Sequence, residues 1–220
     1  RGDAYHPISD YTSDVNEIVV PVAVNAGPTN TAPGMQPFTI FEDDRVQVSA
    51  ILVPHGHVYP CFAYRFDTSD GHSVVFSGDT SKSDNVVTLA QHADVLVHCA
   101  MQWDVIYAAA KLQGRNPDTD PELVHLHDSL ATTQQAAEVA AASGVPQLVL
   151  THLIPANPKD VPDVVWKATS SIGYRGDVHV GNDLDRIAMP VRRRSPAASR
   201  SFLSGYSTPV APQASSRPGQ

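Results

Sequence analysis

His72-Ser-Val-Val-Phe-Ser-Gly-Asp79-Thr-Ser-Lys-Ser83-Asp-Asn-Val-Val-Thr-Leu-Ala90-Gln-His-Ala-Asp94-Val-Leu-Val-His98 decides the fold class. Its first eight residues form a short, partly β-branched run and read as a strand. Ser83 can cap a helix that carries Val86, Val87, Leu89 and Ala90. Asp94–His98 then reads as a second, buried strand. A strand, a helix and a strand in close succession point to a layered α/β protein.

Upstream of this stretch, strands dominate. Val46, Val48, Ala50 and Leu52 alternate with other residues across Arg45–Val53, the period of a half-buried strand. Phe41-Glu-Asp-Asp44 reads as the turn before it. Cys61–Asp67 and His72–Asp79 are two further strands, joined by the hairpin loop Thr68-Ser-Asp-Gly71. The first forty residues are rich in Gly, Pro, Asn and Thr, with one expected strand at Ile18–Val24. Downstream, a helix is expected over roughly 102–113 and a loop over 114–121. Thr132-Thr-Gln-Gln135 resembles a capping box for a helix over Ala136–Ser143, and Gly144 ends it. Gln147–Thr151 reads as a buried strand that ends at His152. The expectation is therefore an α/β domain with a mixed sheet over residues 1–191. Residues 192–220 open with Arg192-Arg193-Arg194, lose periodicity, and read as a disordered tail.

Composition removes several classes. The chain has 220 residues, 42% hydrophobic and 17% charged, which suits a globular protein and not a wholly disordered one. No stretch approaches the roughly 18–20 consecutive apolar residues that span a bilayer, so no membrane partner is expected. Fifteen Lys and Arg against 23 Asp and Glu leave a net charge of −8, so no global basic field advertises nucleic acid. Cys61 and Cys99 can form neither a disulfide framework nor a close-spaced zinc motif. The first residue is Arg1, and the sequence is expected to be a piece of a longer one.

The chemistry-bearing residues follow the strands. His55 and His57 come after the strand 45–53, Asp79 ends the next, His98 closes 94–98, and His152 closes 147–151. Imidazole and carboxylate are donors that zinc, manganese and iron accept. A single histidine at a strand end is more often a hydrogen-bonded surface residue than a ligand. Four strand ends of this chemistry weigh against that reading. His6, His72, His92 and His179 lack such company and are expected to be structural or solvent-exposed.

These residues also carry a resemblance. Phe41–Phe66, in which His57 precedes Ala63-Tyr64-Arg65, is similar to the metallo-β-lactamase superfamily, and to its ribonuclease Z-like branch in particular. There a histidine several residues before a Gly-Tyr-Arg strand is a metal ligand. Ser77-Gly-Asp79-Thr resembles the family's Ser-Gly-Asp-Thr, whose Asp bridges two metals. Asp94-Val-Leu-Val-His98-Cys-Ala resembles its Asp-Val-Leu-Val-His-Glu-Ala, and Gln147-Leu-Val-Leu-Thr-His152 resembles its Leu-Ile-Leu-Thr-His. Gly176–Leu184 resembles its closing strand and turn. The resemblance covers roughly residues 40–190, in order.

It implies a four-layer αββα sandwich, here mainly its C-terminal half. It also implies two metal ions, expected to be Zn2+, with Mn2+ or Fe2+ as alternatives. His57, Asp79 and His152 would be ligands, with Asp79 central to catalysis and His98 behind the ligands or handling protons. The implied substrate is a phosphodiester or related small-molecule ester. RNA is a weaker candidate, and a homodimer is compatible with the family.

Three departures qualify this. The signature His-x-His-x-Asp-His is nowhere in the chain, and His125-Leu-His127-Asp is in the wrong place for it. The family's Glu is Cys99. The histidine of its His-Ser-Thr segment falls at Leu130, where His125 or His127 could substitute only after a loop shift. The leading expectation is therefore a metal-dependent hydrolase whose isolated 220-residue chain is inactive for want of ligands. The alternative is a non-catalytic binding or scaffold protein that keeps the fold. A nucleic-acid-binding protein using the Arg192–Arg194 tail is a third, weaker reading.

Overall fold

The computed structural model describes residues 30–189, so the expected strand at Ile18–Val24 and the tail after Arg192 lie outside the described residues. Seven strands form one sheet in sequence order. They are β1 (Phe38–Glu42), β2 (Val46–Leu52), β3 (Phe62–Thr68), β4 (Ser73–Phe76), β5 (Val95–Met101), β6 (Gln147–Ile154) and β7 (Asp177–Val180). Neighbours are antiparallel from β1 to β4 and parallel from β4 to β7. Antiparallel neighbours need only a turn, whereas parallel ones need a long crossover. Among the described residues the helices accordingly begin after β4: α1 (Asp84–Ala90), α2 (Trp103–Leu112), α3 (Pro121–Ser129), α4 (Thr133–Ser143) and α5 (Asp163–Ser170).

Side chains alternate across the sheet and give it two different faces. Val75, Leu96, Leu148 and Val178 lie side by side on one face. They pack with Val86, Leu89, Ala136, Ala140 and Trp166 from the helices into the main core. Burying each such Leu contributes roughly 1.5–3 kcal/mol. Phe38, Ala50, Tyr64, Phe76, Val97, Val149 and His179 form a row across the other face. Phe76 and Tyr64 in that row are exposed. One mixed sheet with helices packed on it agrees with the α/β class that the resemblance implies.

Several local expectations hold and several shift. Thr132 accepts a hydrogen bond from the Gln135 N–H while the Gln135 side chain accepts one from the Thr132 N–H, and Gly144 ends α4 in the left-handed region at φ 68°. Ser83 stands before α1 but makes no side-chain cap. Phe41 and Glu42 belong to β1, so the turn starts only at Asp43. The supposed loop 114–121 ends one residue early, because the Asp120 carboxylate accepts from the Glu122 and Leu123 N–H groups and Pro121 opens α3. Among the described residues no helix is long and apolar enough to cross a membrane.

Leu148 is fully buried. Leu148→Ala is expected to cost about 2–5 kcal/mol in urea unfolding, against about 1 kcal/mol for Thr132→Ala at the cap.

Candidate active site

β2 runs parallel to β4, β5 and β6, because two antiparallel pairings separate it from β4. The C-terminal ends of these four strands therefore meet at one sheet edge, where α/β proteins place their ligands. β4 stops at Phe76, earlier than the sequence suggests, and Ser77-Gly-Asp-Thr80 leaves the sheet as a turn. Gly78 has φ 62°, and a Cβ there would stand 2.9 Å from the Phe62 carbonyl oxygen. Only glycine fits both constraints. The turn is tied on every side. The Ser77 N–H donates to Val97 O at 2.9 Å, and the Ser77 hydroxyl accepts from the Cys99 N–H at 3.1 Å. The Thr80 hydroxyl donates to Pro54 O at 3.0 Å, and the Ala131 N–H donates to Thr80 O at 2.8 Å. Asp79 is thus a side chain on a rigid mount.

His152 reaches the same place by a different device. It is the extra residue of a β-bulge, since Cys99 pairs with Thr151 but Ala100 pairs with Leu153. Its φ is 47°, unusual for a residue with a Cβ. A bulge re-aims a side chain and locally disrupts the ladder. His152 Nδ1 lies 3.5 Å from Asp79 Oδ1, with both side chains roughly half exposed. The strand continues to Ile154, so His152 sits before its end and not at it.

The remaining candidates separate. His57 is exposed on the turn between the bridged residues His55 and Val58. His55 beside it is anchored, with Nδ1 donating to Ser129 O at 2.9 Å. His98 lies on the helix face with Leu150 and Val180, fully buried. Its Nδ1 donates to Cys99 O at 2.7 Å, and its Nε2 has no hydrogen-bond partner among the described residues. Burial opposes charge on His98, but contact with Cys99 outweighs it and raises the imidazole above its ordinary value. The same contact lowers the Cys99 thiol against the effect of burial. Leu130 is core, packed with Cys99, Met101 and Ala131. His127 packs against Trp103 with tilted rings and centroids 4.6 Å apart, and His125 Nδ1 lies 3.4 Å from the Ser129 hydroxyl. Burial, then the charge of Asp79, pushes the Cys61 thiol up.

Two adjacent donors, Asp79 and His152, do not amount to a metal site. Among the described residues no three His, Cys, Asp or Glu side chains gather closely enough to hold an ion.

A cavity of about 900 Å³ opens beside His152, floored by Phe76, Val97 and Val149 and walled by Asn182, Asp183 and Asp185. Sequence reasoning left His179 without company. The structure pairs it with Asp185, Nε2 to Oδ2, at 2.7 Å. The Asn182 N–H and His179 together hold the Asp185 carboxyl below the usual range.

A sequence profile of the beta-lactamase superfamily domain matches residues 10–153. The chain belongs to the metallo-β-lactamase superfamily. Curated relatives carry the name ribonuclease Z. The chain is 32% identical over 153 residues to the ribonuclease Z of Mycobacterium tuberculosis (strain ATCC 25177 / H37Ra), covering 70% of this chain and 52% of the relative. It is 30% identical over 154 residues to that of Mycobacterium marinum, covering 70% and 51%. This superfamily member thus spans about half the length of those two relatives. Among solved structures, the short form of human tRNase Z aligns with TM-score 0.46 and 22% identity over 71% of this chain and 47% of that one.

Gly78→Ala is expected to cost about 1–3 kcal/mol in urea unfolding, because the turn must shift to relieve both the positive φ and the approach to Phe62. A second measurement concerns Asp185. Its folded value lies below its unfolded one, so the stability it adds is present above about pH 4 and disappears as pH falls through the lower, folded value. Asp185→Asn is expected to flatten the acid limb of stability between pH 5 and pH 2, followed by denaturant unfolding at each pH (about half-unit steps).

Proposed function

We propose that this chain supplies the Asp79-bearing edge of a metal-dependent phosphodiester hydrolase of the ribonuclease Z kind, with RNA as its substrate class. The observation that carries this reading is the convergence of Asp79 and His152, 3.5 Å apart, from two strands. Each sits on a backbone of positive φ at or beside it, Gly78 at 62° and His152 at 47°. The left-handed backbone at His152, a residue with a Cβ, is local strain of the kind that clusters at functional sites. Family membership and the ribonuclease Z relatives supply the reaction class.

His57, Asp79 and His152 are this chain's share of the ligand set, and the further donors come from polypeptide other than residues 30–189. A pair of zinc ions supplies a hydroxide nucleophile and charge neutralisation to such reactions. What the chain itself does is hold Asp79 rigid, aim His152 at it, and leave both open to solvent. His98 has a positioning part: buried beneath β5, it bonds to the backbone of Cys99, whose N–H anchors Ser77 at the start of the turn.

The test uses the full-length polypeptide that contains these residues, and the 220-residue chain beside it. Purified with zinc, the full-length protein is expected to hydrolyse bis(p-nitrophenyl) phosphate and a transfer RNA precursor. Asp79→Ala is expected to lower kcat/KM at least about a hundredfold, while the 220-residue chain stays at background. Undiminished hydrolysis by full-length Asp79→Ala would overturn the assignment of the edge. Zinc-dependent turnover by the 220-residue chain alone would overturn the shared ligand set.

A further inference from the structure

α2 presents Trp103, Tyr107 and Lys111 at successive four-residue intervals, one stripe of a helix. Trp103 and Tyr107 meet edge to face at 6.3 Å, and Lys111 Nζ stands 5.5 Å above the Tyr107 ring. From α3, His127 packs against Trp103 with its ring tilted by 50° and the centroids 4.6 Å apart. The inner side of the indole packs against the Cys99, Met101, Leu130 and Ala131 cluster, which fixes it in place. His127 keeps 48% of its side chain exposed.

This aromatic cluster borders the site. The Gln102 N–H, at the start of α2, donates to Ile154 O at 2.9 Å, just beyond His152. The Met101 N–H donates to Ala131 O at 3.0 Å, and the Ala131 N–H donates to Thr80 O, next to Asp79. Trp103 is therefore mounted between the strand end carrying His152 and the turn carrying Asp79.

We propose that Trp103, Tyr107 and His127 form a ledge on which an unpaired base of the RNA strand stacks. This rests on reading the neighbouring edge as an RNA hydrolase. Every base has a π-face, so an aromatic platform holds single-stranded nucleic acid with little regard to sequence. Few cations face this ledge: Lys111 lies on the stripe, Arg115 is held by Asp120 and Glu122, at 2.7 and 2.8 Å, and Asp104, Asp118 and Asp128 lie on the same two helices or the loop between them, so the contact falls mainly to the base. Binding should therefore depend only weakly on salt, unlike binding through a row of phosphate contacts.

The chain provides its own probe. It has two tryptophans, and Trp166 is 1% exposed with its indole N–H donated to Val161 O. Adding a single-stranded hexa-adenylate to the 220-residue protein is expected to quench fluorescence saturably. Trp166→Phe should preserve the quenching. His127→Ala, an exposed change, should weaken binding of a dye-labelled hexa-adenylate about five- to a hundredfold by anisotropy, as should Trp103→Leu with an unchanged circular dichroism spectrum. Absence of saturable quenching overturns the ledge, as does equal binding of an abasic hexamer or of His127→Ala. Failure of the hydrolase reading shows separately, as no turnover of bis(p-nitrophenyl) phosphate by the full-length protein.

Discussion

The carbonyl oxygen of Thr80 is the atom on which the architecture of the edge depends. It accepts from the Ala131 N–H at 2.8 Å and from the Cys99 thiol at 3.3 Å. One acceptor thus joins the Asp79 turn, the end of β5 and the entry to α4. Buried polar groups of this kind are worth most when all their partners are present, because each unsatisfied one carries its full desolvation cost. Cys99 fits this arrangement as a small, buried thiol with a weak donor. The residue at this position is therefore structural in this chain, filling a core and closing a backbone contact.

Much of the fold was legible because the signals were local. The period-two run of β2, the capping box of α4 and Gly144 behind it all depend on neighbours in sequence, and the structure shows them where the sequence puts them. α3 was missed although Asp120-Pro121 is a helix opening, because its histidines and acidic residues give it a weak apolar face. The row Phe38 to His179 could not be read at all, since it exists only once seven strands take their register.

At the site, residue identity was legible and placement was not. Asp79 and His152 stood out as polar residues following apolar runs, but the bulge that aims His152 depends on a pairing between β5 and β6. His98 followed the same rule and landed on the opposite face, because alternation turned its side chain toward the helices. The His179–Asp185 pair needed the chain to turn back at Gly181–Asp185, where the Asp185 N–H donates to Asn182 O at 3.2 Å. No spacing rule announces that contact.

The identity of strand order and sequence order has a kinetic consequence. Each strand finds its partner in the strand made just before it, so no pairing waits for a distant segment to arrive. Closures are short from β1 to β4 and lengthen only at the helical crossovers that follow, the longest lying between β5 and β6. The sheet can grow by accretion from β1 toward β7 as the polypeptide leaves the ribosome. Asp79 is then in place before the residues that bring His152 to it have been synthesised.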